Sequence, residues 1–221
     1  MADDDFFADA RKRMVDSQLR PNRVTDPRIL NAMRTLPRER FLPPGLAAQA
    51  YIDEDVALGN GRFMMEPMSL ARLLQAAAPV SGETALVVAA GTGYGAAVLA
   101  ACGVRVTALE EDPQLLAHAR SILAAIAPGV TVVSGRFSDG ASSGGPFDIV
   151  VIEGAVRQVP PAVAKQVRQD TGRLVGVIAV SERVSNAVLA EATPAGLRPT
   201  PIFDTATPLL PSLVKPPSFV F

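Results

Sequence analysis

Residues 84–90 (TALVVAA) run directly into Gly91-Thr92-Gly93-Tyr94-Gly95, and this junction most narrows what the chain can fold into. A short apolar run without alternation suits a strand buried on both faces, and such strands belong to parallel sheets covered by helices. The glycines allow a sharp turn into AAVLAACG, which reads as a helix. The rhythm then repeats. Residues 104–109, 130–133, 147–152 and 173–180 read as four more strands, with helices over 114–126 and 160–167. The spacing predicts an α/β, doubly wound, mostly parallel Rossmann-like sheet.

Ahead of the sheet lies a helical preface. Residues 8–20 read as a helix stopped by Pro21, and Asp26 before Pro27 as the cap and first position of another. Ile29, Leu30, Met33 and Leu36 keep helical spacing as far as Pro37. Residues 41–45 form a turn and 51–58 are extended or irregular. A further helix opens at Pro67, carries Met68, Leu70, Leu73, Leu74 and Ala77, and ends at Pro79 and Gly82. Behind the sheet, 186–192 and 201–204 read as an antiparallel addition, and the Pro-rich 208–221 as a surface segment. A length of 221 residues suits one structural domain: a lid segment over 1–80 packed on a core over 81–221.

Charge and cysteine content remove several function classes. Lys+Arg number 21 against 22 Asp+Glu, so no broad basic field exists for a phosphate backbone, and no nucleic-acid partner is expected. One cysteine excludes an internal disulfide, and one histidine beside it argues against zinc; no metal is expected. The opening MADDDFFADARKRM lacks the basic-then-apolar order of a secretory signal, and no apolar window is long enough for a bilayer. A cytoplasmic protein with no membrane partner is expected.

A Gly-rich turn between strand and helix has a use, because it lets the backbone approach a ligand while the helix N-terminus presents free N–H groups. Glu110 lies nineteen positions beyond Gly91, at the end of the second strand, where a carboxylate can accept both hydroxyls of a ribose. An adenosine-containing cofactor fits this order. Two other readings stay open: a tight turn with an exposed acid, and the dinucleotide pattern that residues 91–96 formally satisfy with Ala96 in third place. The second would make an NAD-dependent oxidoreductase, which needs a catalytic segment behind the nucleotide fold. Here the extra residues stand in front, where a methyltransferase often carries a lid.

Several segments resemble the protein-L-isoaspartate O-methyltransferase family, which uses S-adenosyl-L-methionine (SAM). Met14-Val15-Asp16-Ser17-Gln18-Leu19, Asp26-Pro27-Arg28-Ile29-Leu30-Asn31-Ala32-Met33 and Leu36-Pro37-Arg38-Glu39-Arg40-Phe41 are similar to its opening. Ala50-Tyr51, Leu58-Gly59-Asn60-Gly61, Pro67, Gly91-Thr92-Gly93-Tyr94, Phe147-Asp148-Ile149-Val150-Val151 and Val159-Pro160 continue the match. The resemblance implies the SAM-methyltransferase fold, an N-terminal lid, and O-methylation of a protein or peptide carboxylate, the reaction of protein repair. It implies cofactor contacts at Ala89, Ala90, Gly91, Thr92, Gly93, Tyr94, Glu110, Glu111, Arg136, Phe137 and Glu153. Asn60, Arg62 and Met65 would form the catalytic part, with Gly59, Gly61, Phe63, Met64 and Glu66 around the acceptor.

The chain also departs from the family pattern. Met65 stands in the place of the lid serine and Phe63 in that of a threonine; a thioether donates no hydrogen bond to a carboxylate. Val87 replaces an acid, Ala89 the first glycine of the cofactor loop, and Arg136 the aspartate that reads the adenine amino group. Glu153 replaces a neutral residue, and this reciprocal charge change predicts an Arg136–Glu153 ion pair across the pocket. These departures motivate a second reading, a catalytically silent binding or scaffold protein of the same fold. His118 reads as a solvated or packing residue, and Cys102 as a small buried one.

Overall fold

The computed structural model describes residues 2–181 and 184–214, with side chains from Asp5 onward. Helix α1 (Ala2–Arg13) continues through a π-helical stretch, Met14–Leu19, that buries Met14, Val15 and Leu19. It therefore starts earlier than the expected residue 8. In α2 (Pro27–Thr35) the Asp26 carboxylate accepts the Arg28 N–H at 2.9 Å, and Ile29, Leu30 and Met33 are buried. Strands β1 (Val56–Gly59) and β2 (Arg62–Met64) pair around Asn60 and Gly61, whose φ angles of 51° and 70° are those of a two-residue hairpin turn. The stretch 51–58, expected to be extended or irregular, thus ends in a strand. Helix α3 (Pro67–Ala76) follows.

The main sheet holds β3 (Thr84–Val88), β4 (Arg105–Glu110), β5 (Thr131–Ser134), β6 (Ile149–Val156), β7 (Arg173–Ala179), β8 (Ser185–Thr193) and β9 (Gly196–Asp204). Its order is β5-β4-β3-β6-β7-β8-β9; the first five strands are parallel and the last two antiparallel. Helices α4 (Tyr94–Ala101), α5 (Pro113–Ile126) and α6 (Pro161–Ala164) make three of the four parallel crossovers, and a loop over 135–148 makes the one from β5 to β6. The doubly wound sheet and its antiparallel addition are those the sequence predicts. Strand β9 is longer than expected and keeps Pro199 and Pro201, which an edge strand tolerates.

The chain leaves β3 toward β4 and β5, then returns to the other side of β3 as β6. That reversal opens a crevice at the carboxyl ends of these strands, where open α/β sheets bind ligands. One hydrophobic cluster joins Met14, Met33 and Leu73 from the first 80 residues to Val98, Val151 and Ala187 of the sheet layers. The preface therefore shares the core of the sheet.

The segment from Pro208 keeps Pro211, Ser212 and Val214 at the surface, as expected, but turns Leu210 inward. The Ala155 N–H donates to the Pro208 carbonyl at 2.9 Å, the Leu210 N–H donates to the Ala155 carbonyl at 2.8 Å, and Leu210 is buried. The apolar Leu210 side chain gains more over Gly154 than in water. Residues 215–221 of that expectation lie outside the described residues. Among the described residues no helix is long and apolar enough to cross a membrane.

Candidate active site

The first parallel strand ends at a loop held in unusual backbone geometry. Ala89, Gly91 and Gly93 have φ angles of 60°, 58° and 95°, and the Gly93 N–H donates to the Ala90 carbonyl at 2.8 Å. An alanine in the left-handed region costs about 1–2 kcal/mol relative to ordinary backbone. The loop keeps this shape although its first glycine is gone. Thr92 and Tyr94 are buried where α4 begins, and neither hydroxyl has a hydrogen-bond partner among the described residues. Burial pushes the Tyr94 hydroxyl up to about 12.

Glu110, at the end of β4, is fully buried and satisfied from within the chain. One oxygen accepts the Gly91 N–H at 2.7 Å; the other accepts the Glu111 and Asp112 N–H groups, each at 3.0 Å, and Arg62 Nη1 at 2.7 Å. The expected ribose acceptor thus holds four donors of its own protein. Arg62 arrives from the hairpin and is 4% exposed. Its Nη2 donates to the Ala89 carbonyl at 2.9 Å, and its guanidinium lies 4.8 Å from the centre of the Phe137 ring. Its Nε has no acceptor among the described residues.

The rest of the crevice is also occupied. Leu58 Cδ1 stands 3.0 Å from where a Cβ on Gly91 would be, and Glu153 Oε1 stands 1.9 Å from the Cβ position of Gly95. Strand β6 slips register between Val151 and Ala155, and Gly154 there has φ 139°. Such a bulge re-aims its side chains, here carrying Glu153 into the interior. Burial pushes the Glu153 carboxyl up to about 8, against the opposing pull of Arg62 and Arg38; Glu110 adds to the rise. At neutral pH Glu153 is therefore mostly an uncharged acid. Nearby, the buried Arg38 donates to the Ala50 carbonyl at 2.7 Å and the Met65 carbonyl at 2.6 Å, with its guanidinium 4.7 Å from the Tyr94 ring centre. A groove of about 840 Å³ lies elsewhere, along α1, lined by Asp9, Lys12, Arg13, Gln18 and Tyr51.

Several expectations need correction. Arg136 does not pair with Glu153: its side chain is 79% exposed and lies 4.0 Å from Asp139, while Glu153 is buried. A lysine-like outward course costs a long cation nothing, whereas burial would strip its water. Met65 is 1% exposed and Met64 is buried beside it, so both are packed in the core and do not line an acceptor mouth. Arg62 faces the cofactor side, toward Glu110, and is not free to position an acceptor. Gly59, Asn60 and Gly61 do reach the surface, with Asn60 Nδ2 donating to Asp112 at 2.7 Å. Phe63 and Glu66 are half-buried; desolvation raises the Glu66 carboxyl above its ordinary range, and the Asp55 carboxylate accepts the Glu66 N–H at 2.6 Å. Glu111 accepts the Phe137 N–H at 3.1 Å.

The reading of single residues missed Leu58 and Arg38. The Asn60-Gly61 dipeptide between apolar residues is a hairpin signal that would have placed Leu58 and Arg62 on paired strands.

A doubly wound sheet with a glycine turn, an acid closing the second strand, helices and a hairpin in front and antiparallel strands behind defines a methyltransferase-type fold. Comparison with known proteins agrees. The sequence profile described as Protein-L-isoaspartate(D-aspartate) O-methyltransferase (PCMT) matches residues 10–192. A protein-L-isoaspartate O-methyltransferase of Koribacter versatilis (strain Ellin345) is 37% identical over 170 residues, covering 76% of each chain. One from Methylorubrum extorquens (strain PA1) is 39% identical over 168 residues, 76% of this chain and 73% of that one. A solved Plasmodium falciparum protein of the same description, in complex with S-adenosyl-L-homocysteine, superposes with TM-score 0.74 at 17% identity, covering 91% of this chain and 98% of that one. At that identity the structure speaks for the fold alone.

The chain belongs to the protein-L-isoaspartate(D-aspartate) O-methyltransferase family. Its reaction class is the SAM-dependent O-methylation of protein carboxylates. The dinucleotide reading of residues 91–96 falls away with that membership.

Proposed function

We propose that this chain is a protein carboxyl O-methyltransferase working on isoaspartyl or related carboxylates, with residues 1–80 serving as the lid over its crevice. In the arrangement described, the residues do not fit SAM. Glu110 already holds four donors of its own protein, Arg62 and Leu58 lie over the loop, and Glu153 fills the space beside Gly95.

The observation that carries the enzymatic reading is Ala89. The loop keeps the left-handed course of a ligand-binding turn at a residue for which that course is costly. An acceptor carboxylate is already ionised at neutral pH, so the protein has to position it rather than deprotonate it. The exposed hairpin turn at Gly59, Asn60 and Gly61 is the part of the lid placed to do so. A cytoplasmic setting belongs to the same proposal; the free, buried thiol of Cys102 is compatible with it.

The test is transfer of labelled methyl from SAM to isoaspartyl peptides and to aged protein. Base-labile label above that of a Glu110→Ala control is the expected result. No label with any carboxylate acceptor would sink the reading. It would favour the second one, a silent binding protein, for which the internally paired Glu110 is the supporting observation.

A further inference from the structure

We propose that the β1–β2 hairpin is an autoinhibitory plug, in which Arg62 is a tethered ligand standing in the ribose position at Glu110 and the C-terminal segment 205–214 straps the hairpin down. The inference rests on the methyltransferase reading and adds to it a reason why the crevice is closed.

Three relationships support it. First, the Arg62 guanidinium is recognised as a ligand would be. It meets a carboxylate at 2.7 Å, a carbonyl at 2.9 Å and an aromatic face at 4.8 Å, all supplied by elements of the crevice. Its Nε is left without a partner, so the seat is filled but not completed. Second, the plug is borne by a short, separate element. The hairpin has strands of four and three residues, forms its own two-stranded sheet, and exposes its turn. Val56 and Met64 root it in the core, but its turn and Arg62 are able to lift without breaking a ladder of the main sheet.

Third, the strap contacts that hairpin and its neighbours. Pro211 Cγ lies 2.9 Å from the Cβ position of Gly61, so the turn and the proline are packed together. Thr207 Oγ1 donates to Asp55 at 2.7 Å, one residue before β1, and Thr205 Oγ1 lies 2.9 Å from Ser69 Oγ at the start of α3. Leu210 anchors the strap on Gly154, next to Glu153. Strap, hairpin and crevice are thus one mechanical unit.

A seat occupied by its own protein binds an outside ligand with an affinity reduced by the fraction of molecules that are open. The experiment is calorimetric titration of S-adenosyl-L-homocysteine into the full chain, Arg62→Ala, Arg62→Met and Pro211→Gly, each first checked for a cooperative melt. The expected result is about tenfold tighter binding, or more, for both Arg62 variants and a smaller gain for Pro211→Gly. Hydrogen exchange over residues 56–64 should be faster in all three. Arg62→Met keeps the buried stem, so it carries the test if Arg62→Ala fails to fold. Equal, measurable affinity in all proteins would overturn the plug and leave the methyltransferase reading standing. No binding by any protein, despite faster exchange of the hairpin, would overturn both.

Discussion

The Arg62 guanidinium and the Glu110 carboxylate meet at 2.7 Å across 48 residues of sequence, both buried, at the point where a doubly wound sheet ordinarily receives its ligand. Breaking such a pair from one side leaves a buried charge, but Glu110 retains three backbone donors. Arg62→Ala is therefore expected to cost about 2–3 kcal/mol, below the 3–5 typical of an unsupported buried pair. A double-mutant cycle with Glu110→Gln, read by urea unfolding, should give a coupling of about 1 kcal/mol or more. Additive effects would show that the contact carries no energy.

Ala89 offers a gain of stability. Its φ of 60° is relieved by glycine, while glycine loosens the unfolded chain. The balance predicts that Ala89→Gly stabilises the protein by about 0.5–1 kcal/mol. A lower melting temperature for this variant would mean that the left-handed course is not strained here.

Glu153 makes stability depend on pH. Burial raises its carboxyl from 4.5 to about 8, so between those values the folded state holds a proton that the unfolded state has released. Stability from this group is present below the lower value and is lost as pH rises toward the upper one. Glu153→Gln cannot lose a proton. Its stability relative to the parent should rise between pH 5 and pH 8.5 by on the order of a few kcal/mol. A difference that stays flat over this range would place an ionised carboxylate at Glu153 throughout.

Gly61 joins the hairpin to the strap. A methyl group there meets Pro211 Cγ at 2.9 Å on a backbone with φ 70°. Gly61→Ala should destabilise the protein by about 1–2 kcal/mol and speed hydrogen exchange in residues 56–64. Unchanged exchange would separate the strap from the hairpin.

Strands β3, β6 and β7 were legible because each is a short apolar run, the pattern left by burial on both faces, while β5, at the sheet edge and only half-buried, was legible from its valines between Gly129 and Gly135. The family was legible because its segments occur in order over most of the chain. The path of Arg62 was not, since a long cation next to a turn reads as solvated until Glu110 is brought beside it by the sheet. Glu153 and Arg136 show the same limit: the charge exchange was visible, but a bulge turns Glu153 inward while Arg136 faces water near Asp139. Leu210 was hidden among prolines, and only its contact with Gly154 explains its burial. The Asn60-Gly61 pair carries a hairpin signal, and it marks the turn that brings Arg62 to Glu110.

Autoinhibition requires that ligand and Arg62 compete for one seat. The most direct measurement is hydrogen exchange of the unmodified protein over residues 56–64, with and without saturating S-adenosyl-L-homocysteine. Displacement of Arg62 by the ligand predicts faster exchange of the hairpin in the bound protein, although bound ligands ordinarily slow exchange around them. Ligand bound with the hairpin equally or better protected would contradict it, because Arg62 and the nucleoside would then occupy the crevice together.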